Sequence, residues 1–136
     1  MKILCAIDDS EYSKPAVTFS GKLARAFEAK VTLLVVNVQL GSHSRFGAES
    51  MWENADLERL LASARDEIAK QGGGDAETTV VGGPEPADAI AEFAELNTFD
   101  HIVLGTGGKS ALARMVLGSV ASGVLIRAHC TVTIAR

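Results

Sequence analysis

Five short apolar runs punctuate this chain, and helical periodicity fills the stretches between them. The runs are Lys2–Ile7, Val31–Val38, Glu77–Val81, His101–Leu104 and Thr131–Ala135. The first, second and fourth are nearly continuously apolar, as strands buried on both faces are. Between the first two, Ala16, Val17, Ser20, Leu23, Ala24 and Phe27 recur at three- and four-residue spacing, with Ser13 and Pro15 marking the start of a helix. A second helix is predicted over Trp52–Gln71, with Leu57, Leu60, Leu61, Ala64 and Ile68 on one stripe. Three glycines, Gly72, Gly73 and Gly74, stop it. A third follows Pro86 over Ala87–Leu96, buried through Ala89, Ile90, Phe93 and Ala94, and a fourth spans Ser119–Arg127. Gln39–Ser50 has no clear period and reads as a surface loop, with Trp52 packing the start of the second helix. Alternation of this kind implies an α/β fold, a parallel sheet with helices on both faces and right-handed crossovers.

The chain has 136 residues, which suits one domain over 1–136, and at 47% hydrophobic it has the means to fill a core. The net charge is −4 and there is no run of Lys and Arg, so no nucleic-acid track is expected. The apolar start meets Asp8, Asp9 and Glu11 too soon for a secretory segment, and no apolar run is long enough to span a membrane. A cytoplasmic protein is expected. Cys5 and Cys130 read as two buried thiols. There is no Cys-x-x-Cys pair, and His43, His101 and His129 match no ligand spacing, so no protein-held metal is expected.

In an open parallel sheet, ligands bind beyond the carboxyl ends of the strands, where strand order reverses. Two strands end unusually, the first in Asp8-Asp9-Ser10 and the fourth in Gly105-Thr106-Gly107-Gly108. The segment Gly108-Lys109-Ser110 looks like the end of a Walker A loop, but Val103 stands where the first glycine is required, and the loop follows the wrong strand. The Gly-x-Gly-x-x-Gly dinucleotide pattern fails because Ser110 occupies its third glycine. The spacing present is Gly105-x2-Gly108-x9-Gly118-Ser119. Glycines let a ligand approach the backbone, and a helix beginning at Gly118-Ser119 offers free amides and the positive end of its dipole to an anion. Each feature also has a plainer reading by itself. Gly105–Gly108 makes a tight turn, Gly118-Ser119 a helix cap, Asp8-Asp9 a cap or a solvated pair, and Lys109 a solvent-facing cation. A side chain at Gly118 is expected to block phosphates at little expense to the fold.

The glycine spacing resembles the nucleotide motif of the universal stress protein family, and the resemblance covers the whole chain. It implies an adenine nucleotide alpha hydrolase-like sheet of five parallel strands in the order 3-2-1-4-5. It also implies a homodimer through the last strand, which would otherwise leave Thr131–Ala135 as an exposed apolar edge. By the same resemblance, the adenosine lies between Asp8 and Val38, with Ala6 at the same strand end. The phosphates lie on Gly105, Gly108, Gly118, Ser119 and Val120. The ligand implied is ATP (or AMP or ADP) with Mg²⁺, in a stress-response signalling module whose protein partner is unidentified. Departures are Asp9 for the usual glycine, Thr106-Gly107 for Ser-Arg, and His129-Cys130-Thr131-Val132 for Pro-Cys-Pro-Val. The missing arginine leaves the basic role to Lys109 or Arg114. No base placed for water attack is visible, so hydrolysis is expected to be slow or incidental. The alternative is a nucleotide-free interaction module of the same fold. The signatures of PP-loop pyrophosphatases, HIGH-motif nucleotidyltransferases and response-regulator receivers are absent.

Overall fold

The computed structural model describes residues 1–38, 54–107 and 117–136. The elements run β1 (Lys2–Ala6), α1 (Ser13–Phe27), β2 (Lys30–Asn37), α2 (Asn54–Lys70), β3 (Glu77–Gly82), α3 (Pro86–Leu96), β4 (His101–Gly105), α4 (Ser119–Arg127) and β5 (Thr131–Ala135). All pairings are parallel, in the order β3-β2-β1-β4-β5. The chain steps outward from β1 to β3, then returns to the other side of β1 to place β4. Strand order therefore reverses between β1 and β4.

Side-chain alternation along the central strands builds two cores. On one face Ile3, Cys5, Val31, Leu33, Val35 and Val103 meet Ala16, Val17 and Ala24 of α1 and Ala64 and Ile68 of α2. On the other, Leu4, Ala6, Leu34, Ile102 and Leu104 meet Ile90 and Ala94 of α3 and Ala121 and Val124 of α4. Leu57, Leu60 and Leu61 of α2 pack on the first core as their spacing predicts.

Several expectations need correction. Phe27 extends the periodic stripe of α1 but is 61% exposed, because the helix ends there and Glu28 turns away in the left-handed region at φ 50°. On α3 the buried positions are Ala87, Ile90, Ala91 and Ala94; Ala89 and Phe93 lie at the flank of that face and are half-buried. Cys5 is fully buried, whereas Cys130, just ahead of the edge strand β5, is only half-buried. The predicted loop Gln39–Ser50, with His43, Met51 and Trp52, lies outside the described residues. No helix among the described residues is long and apolar enough to cross a membrane.

Candidate functional site

The carboxyl ends of β1, β2 and β4 and the start of α4 surround a cleft of about 530 Å³. Ala6, Asp8, Val38, Gly105, Gly118, Ser119 and Val120 all line it. Gly108, Lys109 and Arg114 lie outside the described residues. Leu34, Val36, Ile90 and Leu104 form apolar wall, and Tyr12 is the aromatic residue among the described lining.

Asp8 is held by its own neighbours. Its backbone N–H donates to the Ser13 hydroxyl at 2.9 Å, and that hydroxyl donates back to Asp8 Oδ1 at 2.7 Å. The Ser10 hydroxyl and backbone N–H donate to the same oxygen, at 2.5 and 3.0 Å. Oδ1 is thereby filled, while Oδ2 accepts no hydrogen bond among the described residues. A fixed carboxylate with one open oxygen accepts a hydrogen bond from a hydroxyl or amine of a ligand. Ser13 does not cap α1 as its position suggests. Tyr12 occupies the N-cap without a side-chain bond, and Ser13 turns inward, buried, to clamp Asp8. The spacing Asp-x-Ser-x-x-Ser carries this signal, since short polar side chains fold onto nearby backbone groups at turns.

The glycines act by different means. A Cβ on Gly105 would sit 1.9 Å from the Tyr12 carbonyl oxygen, so the end of β4 serves as a seat for the first turn of α1. Gly107 has φ +59°, a left-handed conformation that favours glycine. Gly118 donates its N–H to the Thr106 carbonyl at 2.9 Å, and a Cβ there would meet that oxygen at 2.8 Å and the Gly107 carbonyl at 3.0 Å. The expectation that a side chain at Gly118 would leave the fold intact is therefore corrected. The chain returning to start α4 lies directly against the segment leaving β4.

Gly118 caps α4 in an extended conformation, and its carbonyl accepts the first helical bond, from Ser122 N–H at 2.9 Å. The amides of Ser119, Val120 and Ala121 precede that bond, so the helix supplies them no acceptor, and these three residues line the cleft. Three outward amides at the positive end of a helix dipole form an anion seat. The histidines lie elsewhere: His101 bonds Thr133 across β4 and β5 at 2.8 Å, and His129 approaches Glu95 at 3.4 Å. Among the described residues no three His, Cys, Asp or Glu side chains gather as a metal site.

The sequence model of the universal stress protein family matches residues 1–136. A universal stress protein of Methanocaldococcus jannaschii is 34% identical over 142 residues, covering 99% of this chain and 81% of that protein. The universal stress protein YxiE of Bacillus subtilis is 30% identical, covering 99% of this chain and 98% of its own length. Among solved structures, a universal stress protein in complex with cAMP superposes with a TM-score of 0.77 at 28% identity, covering 100% of this chain and 96% of that one. The universal stress protein UspA from Lactobacillus plantarum shares the fold, with a TM-score of 0.84 at 24% identity over 100% of this chain and 97% of its own. By full-length sequence match and by fold, this chain belongs to the universal stress protein family.

Proposed function

We propose that the cleft binds an adenine nucleotide, ATP with Mg²⁺ or its mono- or diphosphate, and that this binding sets the state of a stress-response module. The observation that carries the reading is the pairing, in one cleft, of a fixed carboxylate with one oxygen left open among the described residues and a helix start with three amides that the helix does not engage. The first suits the hydroxyl or amine donors of a nucleoside. The second suits phosphate oxygens. Apolar wall from Leu34, Val36, Ile90 and Leu104 suits a flat base between them. A relative of the same fold in complex with cAMP adds weight to the adenine nucleotide class. A divalent ion would ride on the phosphates. In this reading nucleotide occupancy rather than turnover is the output.

The same reading includes a homodimer through β5. That strand pairs with β4 on one side and, among the described residues, has no partner strand on the other. Ile126 and Leu125 of the adjoining α4 are 82% and 45% exposed. An open edge beside apolar side chains favours pairing with a second copy.

The test is thermal unfolding of nucleotide-stripped protein with Mg-ATP, AMP and cAMP in turn. Ligand at about 100 times its dissociation constant adds about 2.7 kcal/mol to the folded state. A melting temperature unmoved by every nucleotide would overturn the reading.

A further inference from the structure

At the opposite edge of the sheet, a second groove of about 410 Å³ runs between the end of β3 and the flank of α3. Its apolar side chains are Val81, Ala89, Phe93 and Leu96, together with Pro84. Leu96 is 75% exposed. Every charged side chain lining the groove is acidic: Glu85, Asp88 and Glu92. From the cap residue Glu85 into α3 these acids follow a spacing of three and four residues, and Ala89, Phe93 and Leu96 follow the same spacing beside them. The helix therefore presents parallel acidic and apolar stripes. Arg127 neutralises Asp88 in an ion pair. Glu85 and Glu92 have no ion pair among the described residues.

The groove also borders a free strand edge. Among the described residues β3 pairs with β2 alone, leaving the backbone donors and acceptors of its outer side available to another strand. It is short and carries neither lysine nor proline, the residues that commonly block edge pairing. Backbone pairing supplies affinity without sequence preference, and pockets beside the edge supply specificity. Here those pockets are apolar with an unneutralised acidic rim.

We infer that the β3–α3 groove docks an extended segment of a partner protein, added to the sheet at β3, in which every second residue faces α3 and these inward residues include both apolar side chains and Lys or Arg. The apolar side chains cover Phe93 and Leu96, and the cations meet Glu85 and Glu92. This surface shares no lining residue with the nucleotide cleft and lies at the sheet edge opposite β5.

The probe is a short fluorescent peptide of repeated Thr-Lys-Thr-Val, which presents lysine and valine together on one face of a strand, titrated by anisotropy, with amide hydrogen exchange across Glu77–Gly82. Salt-sensitive binding that protects the β3 amides is expected. Glu85→Lys with Glu92→Lys should weaken it at least about tenfold, equivalent to about 1.4 kcal/mol. Glu58→Lys with Asp66→Lys, exposed on α2, should leave it unchanged. Leu96→Ser, a single exposed change, should weaken it as well and serves if the double variant does not fold. Equal loss in both double variants, or protection at β5 in place of β3, would overturn the inference. So would β3 protection that grows with protein concentration without peptide, since the occupant would then be a second copy.

Discussion

The carbonyl oxygen of Tyr12 occupies the space where a side chain on Gly105 would begin, 1.9 Å from an ideal Cβ. This contact joins the start of α1 to the end of β4, the two strand-end segments that frame the cleft. Gly105→Ala must push backbone against backbone, and cores tolerate such intrusion poorly. The expected loss is about 3 kcal/mol or more in urea unfolding. Gly118→Ala, whose Cβ would meet the Thr106 carbonyl at 2.8 Å, should destabilise less but measurably. A Gly105→Ala protein as stable as the parent would mean that the seat yields.

Because glycine replacements disturb the fold, Ser119 is the better position for separating binding from stability. It is exposed and is the first residue of α4. Ser119→Asp places a carboxylate at the positive end of the helix dipole, which should leave the ligand-free protein as stable or raise it by about 0.3–1 kcal/mol. The same charge repels a phosphate from those amides. Thermal unfolding should then show an unchanged or higher melting temperature without nucleotide and no rise with Mg-ATP. A full ligand-induced rise would remove the anion from this helix start.

The α/β class was legible because apolar runs alternate with amphipathic stretches, and little else buries both; the strand order followed from the family resemblance and not from the pattern. The cleft was legible in part. Asp8 and Gly118-Ser119 stand at element ends, where sequence signals are strongest. The clamp from Ser13 was missed because the same residue type signals a helix cap, and only the turn after β1 decides which bond it makes. The steric role of Gly105 had no local signal at all, since it depends on the Tyr12 carbonyl, brought close by tertiary packing. The exposure of Phe27 shows the limit of periodicity, which states a face but not where the neighbouring layer stops.

The Ser13 clamp supports a ranking between two serines. Ser13→Ala removes both the acceptor for the Asp8 N–H and a donor to Oδ1, in a buried position. Leaving a backbone amide unpaired there should lower stability by about 1–3 kcal/mol. Ser10→Ala removes one hydroxyl while its backbone N–H still reaches Oδ1, so its effect should be smaller. Urea unfolding of both variants checks the order; a larger effect at Ser10 would contradict the clamp.

The β5 dimer is tested at Ile126. At 82% exposure a charged side chain there should not disturb the single chain. Ile126→Glu in two copies brings charge against an apolar contact. Sedimentation should show a dimer for the parent and a shift toward monomer, by about tenfold or more in dissociation constant, for the variant. An unchanged mass distribution would place the dimer contact elsewhere.

Cys5 sets a pH dependence whose sign follows from burial. Its thiol, on the central strand, is pushed by desolvation from 9.0 up to about 12, with the Ser20 hydroxyl pulling slightly the other way. Below pH 9 the thiol is protonated in both states and adds no pH dependence. Above it the unfolded chain releases the proton while the native chain keeps it, so ionisation favours unfolding. The stability advantage of the parent over Cys5→Ala should therefore be constant near neutrality and fall by about 1.4 kcal/mol by pH 10, continuing until the native thiol itself ionises. Taking the difference between the two proteins isolates the contribution of Cys5. Alkylation gives an independent reading: the half-buried Cys130 should react first, and Cys5 only at the rate of opening. A parent-to-variant difference that stays flat to pH 10, with both thiols alkylated together, would mean that β1 is open to solvent.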